Sequence, residues 1–286
     1  MIDELGARWI RTREGSYFDQ SAGCHPLAGG RTADLESIQW PGPERWAALD
    51  GLRGWAAESA ERYAIAIGDP IGGILFGGIR LRGFEQFMID LIREPAFACG
   101  LMDRVTESKT VYWESVFDAL GDLVDVAVLE EDLGGQDSLL VSPEMFRKLI
   151  KPRYQRLFAS LRRARAPTTR ILLHSDGAIL ELIPDLIELG VDALNPIQTS
   201  AAGMDPKHLK AAFGNELAFW GAGVDSQTTL RNGTAEDIRR EVSESVEALA
   251  PGGGFVFSVT QNLQGDIPPR NVEIMLEALS RVGAYT

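Results

Sequence analysis

Residues 170–198, RILLHSDGAILELIPDLIELGVDALNPIQ, decide how the chain is to be read. The run RILL is apolar and β-prone, and it gives way to a polar turn at His174, Ser175 and Asp176. AILELIPDLIELG (178–190) then repeats its apolar residues every three or four positions, as a helix with one buried face requires. VDALNPI (191–197) is a second short strand with Asn195 near its end. Strand, helix and strand at this spacing form a βα unit, and successive units of that kind build a parallel sheet.

The same rhythm extends in both directions. YAIAIGD (63–69), VDVAVLEED (124–132), LAFWGAGVD (217–225) and FVFSVTQN (255–262) read as strands, which with 170–176 and 191–197 makes six. FEQFMIDLI (84–92), SPEMFRKLIKPRYQRLFASLRRA (142–164) and TAEDIRREVSESVEALA (234–250) read as amphipathic helices between them. Ser142 and Thr234 are expected helix starts, each followed by acids that suit the helix dipole. Residues 1–60 show little periodicity, although RWIRT (8–12) and SYFDQ (16–20) suit a hairpin.

A doubly wound sheet and a closed barrel share this rhythm. No GxGxxG follows the first strand, and GGILFGG (72–78) lacks the Lys-Ser/Thr end of a phosphate loop, so no nucleotide cofactor is expected. Those glycines are expected to shape a tight turn after the strand.

The chain has 286 residues, 45% hydrophobic and 24% charged, enough for one large domain over 1–286 with a buried core. Its 28 basic and 41 acidic residues leave a net charge of −13, which repels phosphate backbones and anionic lipid. Nucleic acid and membrane surfaces are therefore poor partners. No apolar run approaches a spanning helix, and MIDELGARWIRTREG is too charged for a signal peptide, so a cytoplasmic location is expected. Cys24 and Cys99 form no CxxC pair, which argues against a disulfide framework or a zinc ribbon. Cys99 reads as a small apolar residue on a helix face, and Cys24 stays open.

The strands end in polar groups: Asp69, Glu131 and Asp132, His174 and Asp176, Asn195 and Gln198, Asp225, then Gln261 and Asn262. Parallel strands place their carboxyl ends on one face, where a barrel keeps its active site. Asp132, His174, Asn195, Asp225 and Gln261 are thus expected to converge on one pocket. His174 is either a satisfied core histidine or an acid/base group or metal ligand. Asp176, two residues on, either caps the next helix or shares a cation with His174. Asp132 precedes LGGQ, where glycines let the backbone approach a ligand and Gln136 adds a directional amide. His25 and His208 read as ordinary loop and helix-surface residues.

Several long segments, in order, are similar to the uroporphyrinogen decarboxylase superfamily, especially its decarboxylase-like and corrinoid-linked methyltransferase branch. They are DELG (3–6) with Trp9, EEDLGGQDSLLVSPEMFRKLIKP (130–152), HSDGAILELIPDLIELGVDALNPIQ (174–198), LKAAFGNELAFWGAGVDSQTTLRNGT (209–234), GGGFVFS (252–258) and NLQGDIPPRNVEIMLEAL (262–279). The resemblance implies a (β/α)8 TIM-type barrel, commonly a homodimer, with a cleft at the strand carboxyl ends. The six strands read here suggest a barrel lacking the first two strands at the N-terminus: residues 1–60 supply substitute strands, a partner chain covers the gap or, as the favoured expectation, the recorded start lies downstream of the real one.

Three departures limit what the resemblance carries. The decarboxylases' arginine-rich loop after the first strand and Asp after the second have no counterpart here. Gln261 stands where many relatives have a His after the last strand, and an amide exchanges no proton near neutral pH. Relatives that activate thiols hold zinc through His-x-Cys and a later Cys; here Asp176 takes the first thiolate position and no Cys follows Cys99. Any divalent metal, such as zinc, would therefore take N and O ligands, with His174 and Asp176 as candidates.

Taken together, these readings point first to an enzyme moving a methyl group between a small methylated substrate and a corrinoid protein or tetrahydrofolate. Asp132, His174, Asp225 and Gln261 are the catalytic candidates, and Asp69, Arg80, Gln136, Asn195 and Gln198 the substrate-binding ones. A decarboxylase or lyase is the alternative, with Asp132 or Asp225 as proton donor and Arg80 and Arg82 holding carboxylates. A non-catalytic barrel relative is the third.

Overall fold

The computed structural model describes residues 2–3, 5–11, 18–19 and 25–283; Cys24 lies outside them. Strands β1 (Ile10–Arg11) and β2 (Phe18–Asp19) pair antiparallel, as the hairpin reading expects. The six strands that follow are β3 (Ala66–Gly68), β4 (Val126–Glu130), β5 (Arg170–His174), β6 (Ala193–Asn195), β7 (Ala218–Ala222) and β8 (Phe255–Ser258). They form one parallel sheet in sequential order. Each lies inside the segment read as a strand, and helices cover one face of the sheet, giving six strands of a barrel wall. Among the described residues, no helix is long and apolar enough to cross a membrane.

The helices are α1 (Arg53–Ala60), α2 (Ile74–Arg82), α3 (Phe84–Arg93), α4 (Pro95–Leu120), α5 (Pro143–Met145), α6 (Lys151–Ala164), α7 (Ile183–Leu189), α8 (Pro206–Phe213), α9 (Thr229–Asn232), α10 (Ala235–Leu249) and α11 (Pro269–Val282). Both expected caps are present. Ser142 accepts from the Met145 N–H, and Thr234 forms a reciprocal capping box with Asp237. Between α5 and α6 the helix widens into a π-helical stretch, Phe146–Ile150, in which the Lys151 N–H reaches Phe146 O. Pro152 explains it, since it has no N–H to return to the carbonyl four residues earlier.

Two readings are corrected. In GGILFGG, Gly72 at φ +80° and the N-cap Gly73 end the link from β3, while residues 74–78 form the first half of α2 rather than a turn. A Cβ on Gly78 would lie 2.2 Å from the Phe87 ring, so the glycine lets α2 and α3 pack closely. Residues 1–60 hold more order than their periodicity suggests, with 3-10 turns at Thr32–Ser37 and Pro43–Leu52 before α1. The long helix α4, which carries Cys99 as expected, packs against α2, α3 and α6, burying Leu101, Val105, Trp113 and Val116.

Strand alternation separates two faces. Leu129, Leu173, Leu194 and Phe219 are buried under the helices. The register pairs Glu130 with His174 and His174 with Asn195, so these three share the opposite, inner face at the carboxyl ends.

Candidate functional site

His174 is the last residue of β5, and its Nδ1 lies 2.9 Å from Asn195 Oδ1 at the end of β6. The Asn195 amide in turn donates to Trp220 O of β7 at 3.2 Å. Asp132 follows β4, and its Oδ1 accepts a long hydrogen bond, 3.4 Å, from the Asp176 main-chain N–H. One ligand atom from each of Asp132, His174 and Asp176 can be chosen so that all three lie within 4.8 Å of one another.

Burial pushes the Asp132 carboxyl up to about 6, with Asp176 the next cause and His174 opposing. Burial likewise raises Asp176, against His174 and a hydrogen bond that Gln261 Nε2 donates to Asp176 Oδ2. The other oxygen, Oδ1, is buried without a hydrogen-bond partner. Glu130 is a further acid here: its side chain is exposed at the end of β4, yet desolvation by the surrounding protein raises its carboxyl, opposed most by His174. It escaped the sequence reading, which took Glu131 and Asp132 as the end of that strand; the signal was its place in phase with Asp132.

A cavity of about 130 Å³ opens beside this cluster, lined by His174, Asn195, Ser258, Val259, Thr260, Gln261 and Asn262. His174, Asn195 and Gln261 therefore meet at one mouth, and Asp132 and Asp176 join them through His174 and Gln261. A larger cavity, about 510 Å³, lies between α8 and α10 against Lys207, Arg240 and Glu244 and contains none of the expected site residues.

The remaining candidates are engaged elsewhere. Asp225 turns its Oδ1 back to the Gln227 and Thr228 N–H groups at 2.7 and 3.1 Å, the turn-capping alternative for a strand-end Asp. Asp69 is buried, bonded to Ile71 N at 2.9 Å, Lys109 Nζ at 2.5 Å and Trp113 Nε1 at 3.1 Å. Arg80 and Arg82 sit on a helix rather than an exposed loop. Arg80 pairs with Asp3 at 2.7 Å and bonds Ile71 O, while Arg82 pairs with Asp90 at 2.7 Å and bonds Leu27 O. Gln198 accepts from Gly177 N at 2.9 Å and donates to Gln136, whose amide donates to Ser200 O, so both glutamines tie together the loops after β4, β5 and β6.

Those loops also touch through glycine. A Cβ on Gly177, at φ +86°, would lie 2.4 Å from Gly134 C, so main chain packs on main chain. Glu131 faces away from the site, buried beneath α2. Its carboxylate accepts from Leu75 N and Phe76 N at 2.9 Å, Asp132 N at 3.1 Å and Tyr154 Oη at 2.7 Å. It caps α2 and anchors the residue that carries Asp132. Gly73 makes room for it, since a Cβ there would fall 2.0 Å from Glu131 Oε1.

Sequential parallel strands joined through helices, with polar groups gathered at their carboxyl ends, define a barrel-type protein. The uroporphyrinogen decarboxylase (URO-D) family model matches residues 73–282, and the chain belongs to that family. Its relatives include the uroporphyrinogen decarboxylase of Thermus thermophilus, 25% identical over 208 residues, covering 71% of this chain and 54% of that protein. That of Legionella pneumophila is 23% identical over 201 residues, 70% of this chain and 53% of that one. The chain thus spans about half the length of these relatives. A solved methyltransferase from Methanosarcina mazei shares the fold, with a TM-score of 0.71 at 20% identity, covering 98% of this chain and 77% of that one.

Proposed function

We propose that this chain acts in methyl transfer between a small methylated substrate and a corrinoid protein or tetrahydrofolate, at a divalent-cation centre formed by Asp132, His174 and Asp176. The observation that carries it is the buried Asp176 Oδ1, which lacks a hydrogen-bond partner beside a second carboxylate and an imidazole. An unpaired buried carboxylate oxygen is costly, and two carboxylates this close repel unless a proton or a cation lies between them. One nitrogen and two oxygen donors suit zinc or a similar divalent ion, and the cavity beside them leaves room for a substrate ligand. Bound there, the cation supplies Lewis-acid polarisation of the substrate heteroatom.

The chain's own residues supply the ligands and hold them in position. Gln261 holds Asp176 in place by donating to Oδ2. Asp132, its carboxyl raised to about 6 by burial and Asp176, would give up that proton when the cation binds and serve as an oxygen ligand. That a solved methyltransferase from Methanosarcina mazei shares this fold supports the reading.

A decarboxylase reading draws on the same Asp132 as proton donor. It also needs cations for substrate carboxylates, and the two arginines offered for that, Arg80 and Arg82, are paired with Asp3 and Asp90. The methyl-transfer reading has no such requirement. Metal analysis of the purified chain, followed by assay with methylated donors and a corrinoid acceptor, tests it. One bound divalent ion, lost in Asp176→Ala, is the expected result; a metal-free chain that takes up no zinc overturns it.

A further inference from the structure

We infer that Asn195 is a positioning residue that fixes the tautomer of His174, placing the proton on Nδ1 and presenting an unprotonated Nε2 to the site. A neutral imidazole donates from one ring nitrogen and accepts at the other, and its neighbours decide which. Here the neighbour is Asn195, whose Oδ1 lies 2.9 Å from His174 Nδ1. The orientation of that amide follows from its second contact: Nδ2 lies 3.2 Å from Trp220 O. A carbonyl oxygen only accepts, so the group facing it must be the NH2, which leaves Oδ1 facing the ring. Flipping the amide would set two carbonyl oxygens against each other and aim an NH2 at the ring. The β7 main chain therefore orients Asn195, and Asn195 assigns the His174 proton.

The three residues belong to adjacent parallel strands, with His174 and Asn195 partners in register. The relay thus rests on sheet hydrogen bonding rather than on a mobile loop. Asn195 has no place among the Asp132, His174 and Asp176 ligand atoms and acts through His174. The consequence for cation binding rests on the function proposed above; the tautomer assignment does not. Partners of this kind orient a ligating imidazole, and losing one typically weakens metal binding by roughly 10–100-fold.

The test is 15N NMR of the ring nitrogens in buffer alkaline enough to keep imidazoles neutral, with His174 assigned by comparison with His174→Gln. Wild type should show a protonated Nδ1 and an unprotonated Nε2. Asn195→Asp loses the donor to Trp220 O but can present only acceptors to the ring, so it should keep that pattern, whereas Asn195→Leu should lose it. Zinc affinity, by competition with a chromophoric chelator, should fall roughly 10–100-fold in Asn195→Leu and be largely restored in Asn195→Asp. A wild-type ring protonated on Nε2, or an unchanged pattern in Asn195→Leu, overturns the inference. If Asn195→Leu does not fold, wild type and Asn195→Asp still decide it. A wild type with the Nδ1 proton but no zinc binding overturns the cation reading and leaves the positioning role standing.

Discussion

Asp132 Oδ1 accepts a long hydrogen bond, 3.4 Å, from the Asp176 main-chain N–H, and a carboxylate oxygen of each residue lies within 4.8 Å of the other. Burial and the second acid lift the Asp132 carboxyl from 3.8 to about 6. The folded form therefore holds this proton more tightly than the unfolded chain does. The resulting stabilisation is fully present below the unfolded value and is lost as pH rises through the folded one. In metal-free protein, Asp132→Asn should be more stable than wild type at neutral pH, by on the order of 1–3 kcal/mol, and the gap should shrink as pH falls toward about 4. Urea denaturation across that range measures it; a gap that stays constant or reverses contradicts the assignment.

His174→Ala should abolish cation binding and turnover while leaving the fold in place. The side chain is half-buried at a strand end, and its loss removes one hydrogen bond, worth about 1 kcal/mol. Melting should shift by only a few degrees. A collapse of the transition would make His174 structural instead.

Gly177→Ala should destabilise the chain by more than about 3 kcal/mol, through backbone strain at φ +86° and a clash with the Gly134 and Gly135 main chain. The displaced loops carry Asp132 and Asp176, so cation affinity should fall in whatever fraction still folds. Wild-type stability together with wild-type affinity would show that the two loops do not need this close contact.

Glu131→Ala leaves buried main-chain donors of Leu75 and Phe76 and the Tyr154 hydroxyl unpaired, at a cost of about 3–5 kcal/mol. Tyr154→Phe removes one donor and should cost about 1 kcal/mol. Equal costs for the two substitutions, measured by denaturant unfolding, would contradict the capping role.

Lys109→Met isolates the buried Asp69 carboxylate and should cost about 3–5 kcal/mol. The double variant with Asp69→Asn should recover part of that loss, because the uncompensated charge is gone. No recovery would mean that the ammonium contributes mainly through its bond to Gly72 O.

Local chemistry made much of this molecule legible. Short apolar runs ending in polar residues located all six sheet strands, and Ser142 and Thr234 marked helix starts that the structure places at those residues. That His174, Asn195 and Gln261 would line one cavity was readable, because each stands near the carboxyl end of a strand and parallel strands put those ends together. What each polar side chain does there was not readable. Asp225 and Asp132 look alike in sequence, yet one caps its own turn and the other faces Asp176. Arg80 meets Asp3, Asp69 meets Lys109, and Gln136 meets Gln198 across long stretches of intervening chain. Strand and helix periodicity arises between near neighbours and is written in composition. The partner of a buried charge or amide is set by packing between distant segments, and the tertiary structure alone decides it.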